Sequence, residues 1–262
     1  MSLSSRWFVA IGLASCALVG PAVALAQSGA DVKLLEKARA LYFSGPAPKS
    51  MACDATIDWD DFFKSLNQPQ TDQAKARVEK LEQLKISVVT RGAADTNVNV
   101  SGPDAPANLT SGIQMQLRGF FQMYWSEAYG DLIAKKGDPV ELTTTGEGYV
   151  ENTTAGAMKV SVTMNKSFLV TEVNVQSPQL SAITKPSFEP GADGLLRLRK
   201  VDQITEMGTS KLAVIIAFDY QKVGSYDFPQ HLEMSLPGSY TFHYTLSGCK
   251  ADSDLAPVAT SK

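Results

Sequence analysis

The chain has 262 residues, of which 44% are hydrophobic, and 24 Lys and Arg against 27 Asp and Glu give a formal net charge of −3. This mild acidity, without clustered basic residues, argues against a nucleic-acid-binding surface. The length suffices for one large domain or two small ones, and the hydrophobic content is ordinary for a globular core.

The first 26 residues have the three parts of a bacterial secretory signal peptide. A short stretch containing Arg6 precedes the mostly apolar residues 7–19, and Gly20-Pro21 then interrupts the apolar run. Ala24-Leu25-Ala26 supplies small residues for cleavage before Gln27. The pattern predicts a periplasmic or secreted mature protein. Because Pro21 shortens the apolar run, a membrane-spanning helix is not expected here, and no later stretch is apolar enough for one.

The same segment contains an alternative processing signal. Leu13-Ala14-Ser15-Cys16 fits a lipobox, in which Cys16 is acylated and anchors the mature chain to a membrane. The residues after Cys16 stay apolar up to Leu25, unlike the polar tether that normally follows an acylated cysteine. Soluble export is therefore the first interpretation, and lipid anchoring through Cys16 is the alternative.

Two cysteines, Cys53 and Cys249, remain once the signal peptide is removed. An even pair in a chain sent to an oxidising compartment predicts a disulfide. The alternatives are a metal-binding pair and a catalytic thiol. A Cys53–Cys249 bridge would bring the first predicted strand beside the end of the last one.

The first half of the chain after the predicted signal peptide, up to residue 135, is predicted to be rich in helices. The elements expected from apolar periodicity are a helix over 31–43, a strand over 53–59, a helix ending at 66, a helix over 71–84, short strands over 86–89 and 98–100, and a loop over 101–111. Asp60 or Asp61 is the expected N-cap of the second helix, and Thr71 or Asp72 that of the third.

A broadly apolar helix is predicted over residues 109–135. Its apolar residues extend well beyond one stripe, which is typical of a helix that lies between two layers or covers an apolar cavity. If it covers a cavity, the first candidates for contact with a ligand are Met115, Phe120, Phe121, Tyr124 and Trp125.

From Gly146 onward the hydrophobic pattern changes to period two, which predicts strands over 158–164, 169–175, 195–204 and 212–220. A two-residue loop at Asn165-Lys166 would place Val162 opposite Leu169. Residues 186–194 are predicted to form a loop. The strand over 212–220 is apolar on both faces, so it is expected to be central and covered on both sides.

The last predicted hairpin has a three-residue loop at Pro237-Gly238-Ser239. This loop aligns Leu236 with Tyr240 and continues as Met234 with Phe242 and Leu232 with Tyr244, whereas a two-residue turn would mismatch every pair. Residues 251–262 are predicted to be a disordered tail.

The order of elements predicts an α+β fold with a curved, half-barrel-like antiparallel sheet that helices cover on one face. We expect one domain over residues 27–250, helix-rich over 27–135 and β-rich over 146–249.

Recognisable catalytic motifs are lacking, and neither a metal nor a cofactor is predicted. The hairpin register places Glu233 opposite His243, and such a carboxylate–imidazole pair is usually an exposed cross-strand contact rather than an acid–base couple. The acidic residues Asp54, Asp58, Asp60 and Asp61 do not have the spacing of a calcium loop and are interpreted as caps and a solvated strand face.

A family resemblance rests on the signal peptide, the first helix and a sheet that ends in Phe218-Asp219-Tyr220 and Phe228-Pro229-Gln230-His231-Leu232-Glu233-Met234. Together these features resemble the periplasmic lipoprotein-carrier and outer-membrane lipoprotein-sorting family. The resemblance implies a curved antiparallel half-barrel with helices across its mouth, enclosing an apolar cavity for acyl chains.

The first functional hypothesis is a non-enzymatic exported protein that binds or carries a lipid, a lipoprotein or another apolar ligand in the bacterial envelope. The alternative is an envelope interaction or assembly module with a filled core and a protein partner. A third hypothesis is an extracellular hydrolase that uses isolated carboxylates or the Glu233–His243 pair.

Overall fold

The computed structural model describes residues 29–43, 45, 47–67, 71–92, 95–103, 106–128 and 132–252. The predicted signal peptide, the lipobox pattern and the predicted tail from residue 253 onward lie outside these residues. Within them the helices are α1 (Gly29–Arg39), α2 (Trp59–Ser65), α3 (Asp72–Leu81) and α4 (Ala107–Ala128). The strands are β1 (Met51–Ile57), β2 (Lys85–Thr90), β3 (Thr96–Ser101), β4 (Val140–Thr144), β5 (Gly148–Ala155), β6 (Met158–Asn165), β7 (Val170–Gln176), β8 (Ser181–Pro190), β9 (Leu196–Met207), β10 (Ser210–Val223), β11 (Tyr226–Leu236) and β12 (Tyr240–Ala251).

The described strands form a 12-stranded antiparallel sheet in the order β3-β2-β1-β12-β11-β10-β9-β8-β7-β6-β5-β4. Strands that follow each other in sequence are neighbours, except β3 and β4, which are the two end strands of this order, and β1 also pairs with β12. This pairing confirms that the first strand lies beside the last, and the antiparallel sheet agrees with the predicted α+β class. No described helix is long and apolar enough to span a membrane.

The described residues divide into two compact units. Unit 1 contains residues 45–125 and 217–252, and unit 2 contains residues 29–43 and 126–216. The prediction of one domain over 27–250 stays a prediction.

Unit 1 has one apolar side, built by alternation along its strands. Met51, Cys53, Ala55 and Ile57 of β1 are buried, while the residues between them are more exposed. The pairing continues this pattern into β11 and β12, because Leu232 lies opposite Tyr244. Helix α2 contacts the apolar side through Phe62, whose ring stacks on that of Phe242 at a centroid distance of 4.3 Å.

Unit 2 has its core between helix α1, the residues before β4, and strands β4 to β7. The buried members of this cluster are Leu35, Ala38, Tyr42, Ile133, Ala134, Val140, Val162, Met164, Phe168 and Val170. The strand register places the strand members of the cluster on one face of the sheet, because residues two apart along a strand share a face. The other face carries more polar residues, such as the row Asn152, Ser161 and Asn174.

Several predicted helix boundaries are wrong. The N-cap of α2 is Asp58, whose carboxylate accepts a hydrogen bond from the amide of Asp61, so neither Asp60 nor Asp61 is the cap. Trp59 consequently begins α2 instead of ending β1. Thr71 is confirmed as the N-cap of α3. Helix α4 begins at Ala107, inside the predicted loop, and ends at Ala128 rather than near residue 135.

The two hairpin predictions have opposite outcomes. The last hairpin is confirmed, with Leu236 opposite Tyr240 and Glu233 opposite His243. The Asn165-Lys166 turn is wrong, because Val162 lies opposite Val173 rather than Leu169. The connection is longer, since the Asn165 side chain accepts hydrogen bonds from the amides of Ser167 and Leu169 and holds the loop closed.

Residues 186–190 continue β8 instead of forming the start of a loop. The β7–β8 pairing ends at Thr184, whereas the β8–β9 pairing runs on to Pro190. Pro186 is tolerated because β8 is no longer paired with β7 at that point, so the strand is paired on one side only.

The prediction for the central strand is half correct. Strand β10 is sixth in the sheet order, and its Val214, Ile216 and Phe218 are buried. The reverse face is not covered as predicted, because Ala213 is exposed and Ile215 is half-buried. Small and β-branched residues tolerate this partial exposure. At the C-terminus, Ala251 belongs to β12 and the Asp252 amide donates to the Ser50 carbonyl, so the predicted tail cannot begin before residue 253.

Candidate functional site

The five residues predicted to contact an apolar ligand all lie on α4 within unit 1. Phe120, Phe121 and Tyr124 are 0% exposed and Trp125 is 7% exposed, whereas Met115 is half-buried. The Phe120 ring meets the ring of Phe218 on β10 edge-on at a centroid distance of 5.4 Å. Phe120 and Tyr124 therefore contact strand side chains, and Phe121 contacts both of their rings. Met115 has the most accessible surface of the five.

Hydrogen bonds fix the same helix against the strands. The Tyr124 hydroxyl donates to the Asp227 carbonyl at 2.6 Å. The buried Gln116 accepts a bond from the Tyr244 hydroxyl at 2.6 Å, and its amide donates to the Tyr240 hydroxyl at 3.3 Å. Burial raises the pKa of Tyr240 and of Tyr244, so both hydroxyls stay neutral at physiological pH. These bonds satisfy polar atoms in an apolar contact and set the rotation and height of α4.

A second apolar feature lies in unit 2 and was not predicted from sequence. Around its buried cluster lie eight apolar side chains that are only partly buried and that contact the cluster. We name this set the open apolar surface; it consists of Leu34, Leu132, Leu142, Tyr149, Val160, Val173, Phe188 and Leu196. Its strand residues from β4 to β7 share a face with the buried core. The strand pairing shows this, because Leu142, Glu151, Val162 and Val173 form one row across β4, β5, β6 and β7.

Tyr42 lies within the unit 2 core, where three elements meet. Its hydroxyl donates to the Phe168 carbonyl at 3.0 Å and accepts from the Val170 amide at 2.7 Å. Its ring meets that of Phe188 edge-on at 5.0 Å. Burial raises the pKa of Tyr42, and the Val170 amide partly opposes that effect. The predicted helix over 31–43 ends at Arg39, and Tyr42 instead bridges to Leu196.

Glu151 is buried on the core side of the unit 2 strands. In the described part of unit 2 it is the only buried acidic residue. It is 5% exposed, and both carboxylate oxygens lie within 3.3 Å of the Ala134 amide nitrogen. The pKa of Glu151 is raised from 4.5 to about 7. Burial is the largest cause, the Ala134 hydrogen bond opposes it, and the negative charge of Asp138 adds to it. Strand β5 was not among the strands predicted from the period-two pattern, and nothing in the sequence singled out this carboxyl group.

The predicted Glu233–His243 register is confirmed, but the two side chains have other partners. The Glu233 carboxylate accepts from the Ser235 hydroxyl, and His243 Nε2 lies 3.6 Å from the Asp61 carboxylate. His231 Nδ1 lies 3.0 Å from the Asp219 carboxylate on β10. All these groups are exposed or half-buried. Exposed pairs of this kind contribute little to stability and lack the water-excluding surroundings in which acid–base groups work well.

The predicted disulfide between Cys53 and Cys249 is present and joins β1 to β12 across 196 residues of sequence. It lies beside an irregularity in the pairing of the two strands between Ala52 and Asp54. The Gln221 amide donates to the Pro229 carbonyl on β11 and the Leu246 carbonyl on β12, which links β10 to the two strands that follow it in the chain. A disulfide bond implies a non-reducing compartment. Because this bond joins β1 to β12, it also stabilises the pairing of the first and last strands.

Among the described residues, no group of three or more His, Cys, Asp or Glu side chains has a geometry that could hold a metal ion. The four acidic residues of the sequence cluster have separate roles and places. Asp58 caps α2 and Asp61 contacts Lys64, while Asp54 lies on β1 and Asp60 on α2. Comparison of the chain with protein-family models, curated proteins and solved structures gives no match.

Proposed function

We propose that this chain is an exported, non-enzymatic protein of the bacterial envelope that binds an apolar ligand, a lipid or the acyl chains of a lipoprotein. The observation that carries the proposal is the open apolar surface of unit 2. It places eight partly exposed apolar residues on and around one core, whereas the reverse face of the same strands carries rows of polar side chains.

The energetics favour a ligand on that surface. Each Å² of apolar side-chain surface that a ligand removes from water would contribute about 25 cal/mol to binding. Single exposed hydrophobic residues are ordinary, whereas partly exposed apolar side chains that lie together are typical of a binding surface. Here all eight contact one buried cluster. An apolar ligand that covers Val160, Val173 and their neighbours would gain this burial without requiring the strands to move.

The five α4 residues are the second part of the proposed site. Met115 has accessible surface, but Phe120, Phe121, Tyr124 and Trp125 are buried, and a ligand would have to displace ring contacts to reach them. The open apolar surface is therefore the better supported ligand contact. A half-barrel curvature with a helix-covered face, and membership of the lipoprotein-carrier family, stay predictions.

Export is supported by two independent features. The signal-peptide pattern predicts cleavage before Gln27, and the Cys53–Cys249 disulfide requires a non-reducing compartment. We propose a periplasmic or secreted location for the mature chain, with lipid anchoring through Cys16 as the alternative.

The test is ligand capture by the full mature protein purified from the periplasm. Native mass spectrometry and organic extraction should find bound lipid, and a fluorescent fatty acid should bind the delipidated protein. Replacing Val160 and Val173 together with Thr keeps the shape but adds two hydroxyls, and should weaken probe binding about tenfold or more. Val150→Thr is the matched control, because Val150 is half-buried on the opposite face of β5. Absence of both lipid and probe uptake would contradict the proposal, as would an equal effect of the control.

A second function, the envelope assembly module, is favoured by the ring contacts of α4. Rings that are 0% exposed and in contact with Phe218 are what a filled core contains. This alternative predicts that one envelope protein co-purifies at a fixed ratio while lipid extraction finds nothing. Bound lipid without a stoichiometric partner would contradict it.

A further inference from the structure

A buried carboxyl group in unit 2 holds a connecting segment in place. The segment is residues 132–138, which lie just before β4 and include the buried Ile133 and Ala134. Both carboxylate oxygens of Glu151 lie 3.2–3.3 Å from the Ala134 amide nitrogen. We propose that Glu151 is a pH-sensitive latch, which holds this segment against β5 when protonated and releases it when ionised. This inference goes beyond the proposed function, since it requires no ligand.

The strand neighbours of Glu151 do not compensate a negative charge. Across β4 and β6 it lies opposite Leu142 and Val162, both apolar. The charged residues nearest in sequence on these two strands are Glu141 on β4 and Lys159 on β6. They are one and three residues from Leu142 and Val162, and so lie on the other face of the sheet.

The segment and α1 supply the remaining titratable groups. Asp138, in the segment itself, repels an ionised Glu151. The lysines that follow Ala134, Lys135 and Lys136, are exposed. The titratable residues of α1 and of the core-side surface are Asp31, Lys33, Glu36, Lys37, Arg39, Tyr42 and Tyr149. Of these, Lys33, Glu36 and Lys37 are exposed, and Tyr42 is bonded to Phe168 and Val170.

The direction of the switch follows from linkage. Burial raises the pKa of Glu151 to about 7 in the closed segment, against 4.5 for an ordinary glutamate. The closed state therefore binds the proton more tightly, and it is most favoured below pH 4.5, where both states are protonated. As the pH rises from 4.5 to 7, the ratio of closed to open states falls by roughly two orders of magnitude in total. Above that range it is constant again.

Amide hydrogen exchange of the full mature protein tests the latch. Exchange of the Ala134 amide is measured from pH 5 to pH 8.5 and corrected for the intrinsic pH dependence of exchange. We expect its protection to fall by tenfold or more over this range. The Val170 amide, bonded to Tyr42 in the same core, is the internal reference and should keep its protection. A parallel loss at both amides would indicate global opening and overturn the proposal.

Two variants separate the latch from general pH effects. Glu151→Gln keeps an oxygen that accepts from Ala134 and cannot ionise, so its corrected protection should be independent of pH. Glu141→Gln removes an exposed carboxylate from the opposite face and should behave like the wild type. If Glu151→Gln does not fold, a carboxyl-carbon NMR titration of the wild type measures the midpoint of Glu151 ionisation directly. A midpoint below pH 5, or equal profiles in wild type and Glu151→Gln, would overturn the proposal.

Discussion

Single hydroxyl and ring contacts decide how the loop before β7 is held in unit 2. Phe168 has a φ of 62°, a left-handed conformation that bulky residues rarely adopt. Its ring stacks on Tyr149 at a centroid distance of 4.9 Å, with the Lys37 ammonium 5.0 Å from the centroid of the Phe168 ring. Its carbonyl accepts from Tyr42. Tertiary contacts from α1 and β5 thus sustain a local conformation that the loop sequence does not favour.

We predict that Tyr42→Phe lowers the free energy of unfolding by about 1–3 kcal/mol, because it leaves a buried amide and a buried carbonyl without their shared partner. Urea denaturation followed by circular dichroism measures the change. Tyr149→Phe, which retains the ring stack at a half-buried position, is the control and should cost less than about 1 kcal/mol. Equal losses in the two variants would contradict a specific role for the Tyr42 hydroxyl.

At the scale of elements, α4 is the helix whose position matters most for choosing between the two proposed functions. It is 22 residues long, has aromatic contacts with β10, and carries Gln116, which bonds Tyr240 and Tyr244 on β12. Its breadth of apolar surface was visible in the sequence. Its start at Ala107 was not, because the prolines that precede it predict a loop.

The two functions predict different consequences for Phe120→Ala. If Phe120 is part of a filled core, the change removes a fully buried ring and should cost about 3–5 kcal/mol of unfolding free energy. Met115→Ala, at a half-buried position on the same helix, should cost clearly less. Thermal or urea unfolding of both variants gives the comparison. A Phe120→Ala loss no greater than that of Met115→Ala, together with weaker probe binding, would instead favour a ligand-lining role.

At the scale of the whole molecule, the strand order explains why the disulfide matters. The first strand of the chain pairs with the last, so this pairing closes a loop of almost 200 residues, and Cys53–Cys249 joins the same two strands. In the chain-entropy model such a bridge removes about 5 kcal/mol of unfolded-state entropy. The bond is thus well placed to offset the slow and costly pairing of distant strands.

We predict that the intact mass of the purified exported protein corresponds to a chain that begins at Gln27 and lacks the two hydrogens of free Cys53 and Cys249. Signal-peptide cleavage and oxidation in the same compartment would produce this mass together. Reduction under denaturing conditions should restore the two hydrogens. A chain that begins at an acylated Cys16 would establish the lipid-anchored alternative, and an uncleaved chain with free thiols would contradict export.

Local sequence patterns determined much of the architecture. Alternation predicted β1, and period two predicted β6, β7, β9 and β10 but neither β5 nor β8. The spacing around Pro237-Gly238-Ser239 predicted the register of the last hairpin, because side-chain period and turn length are local properties. The cysteine pair predicted the disulfide and, through it, the pairing of the first and last strands. The signal-peptide pattern is likewise local, so its prediction of export needs no fold.

Tertiary structure alone decided the features that depend on residues distant in sequence. The extension of β8 through Pro186 required knowing that β7 ends its pairing at Thr184. The four-residue loop after Asn165 depends on contacts between Phe168 and residues of α1 and β5. The open apolar surface and the buried Glu151 have no sequence signature, since exposure and pKa follow from what long-range packing leaves uncovered or removes from water.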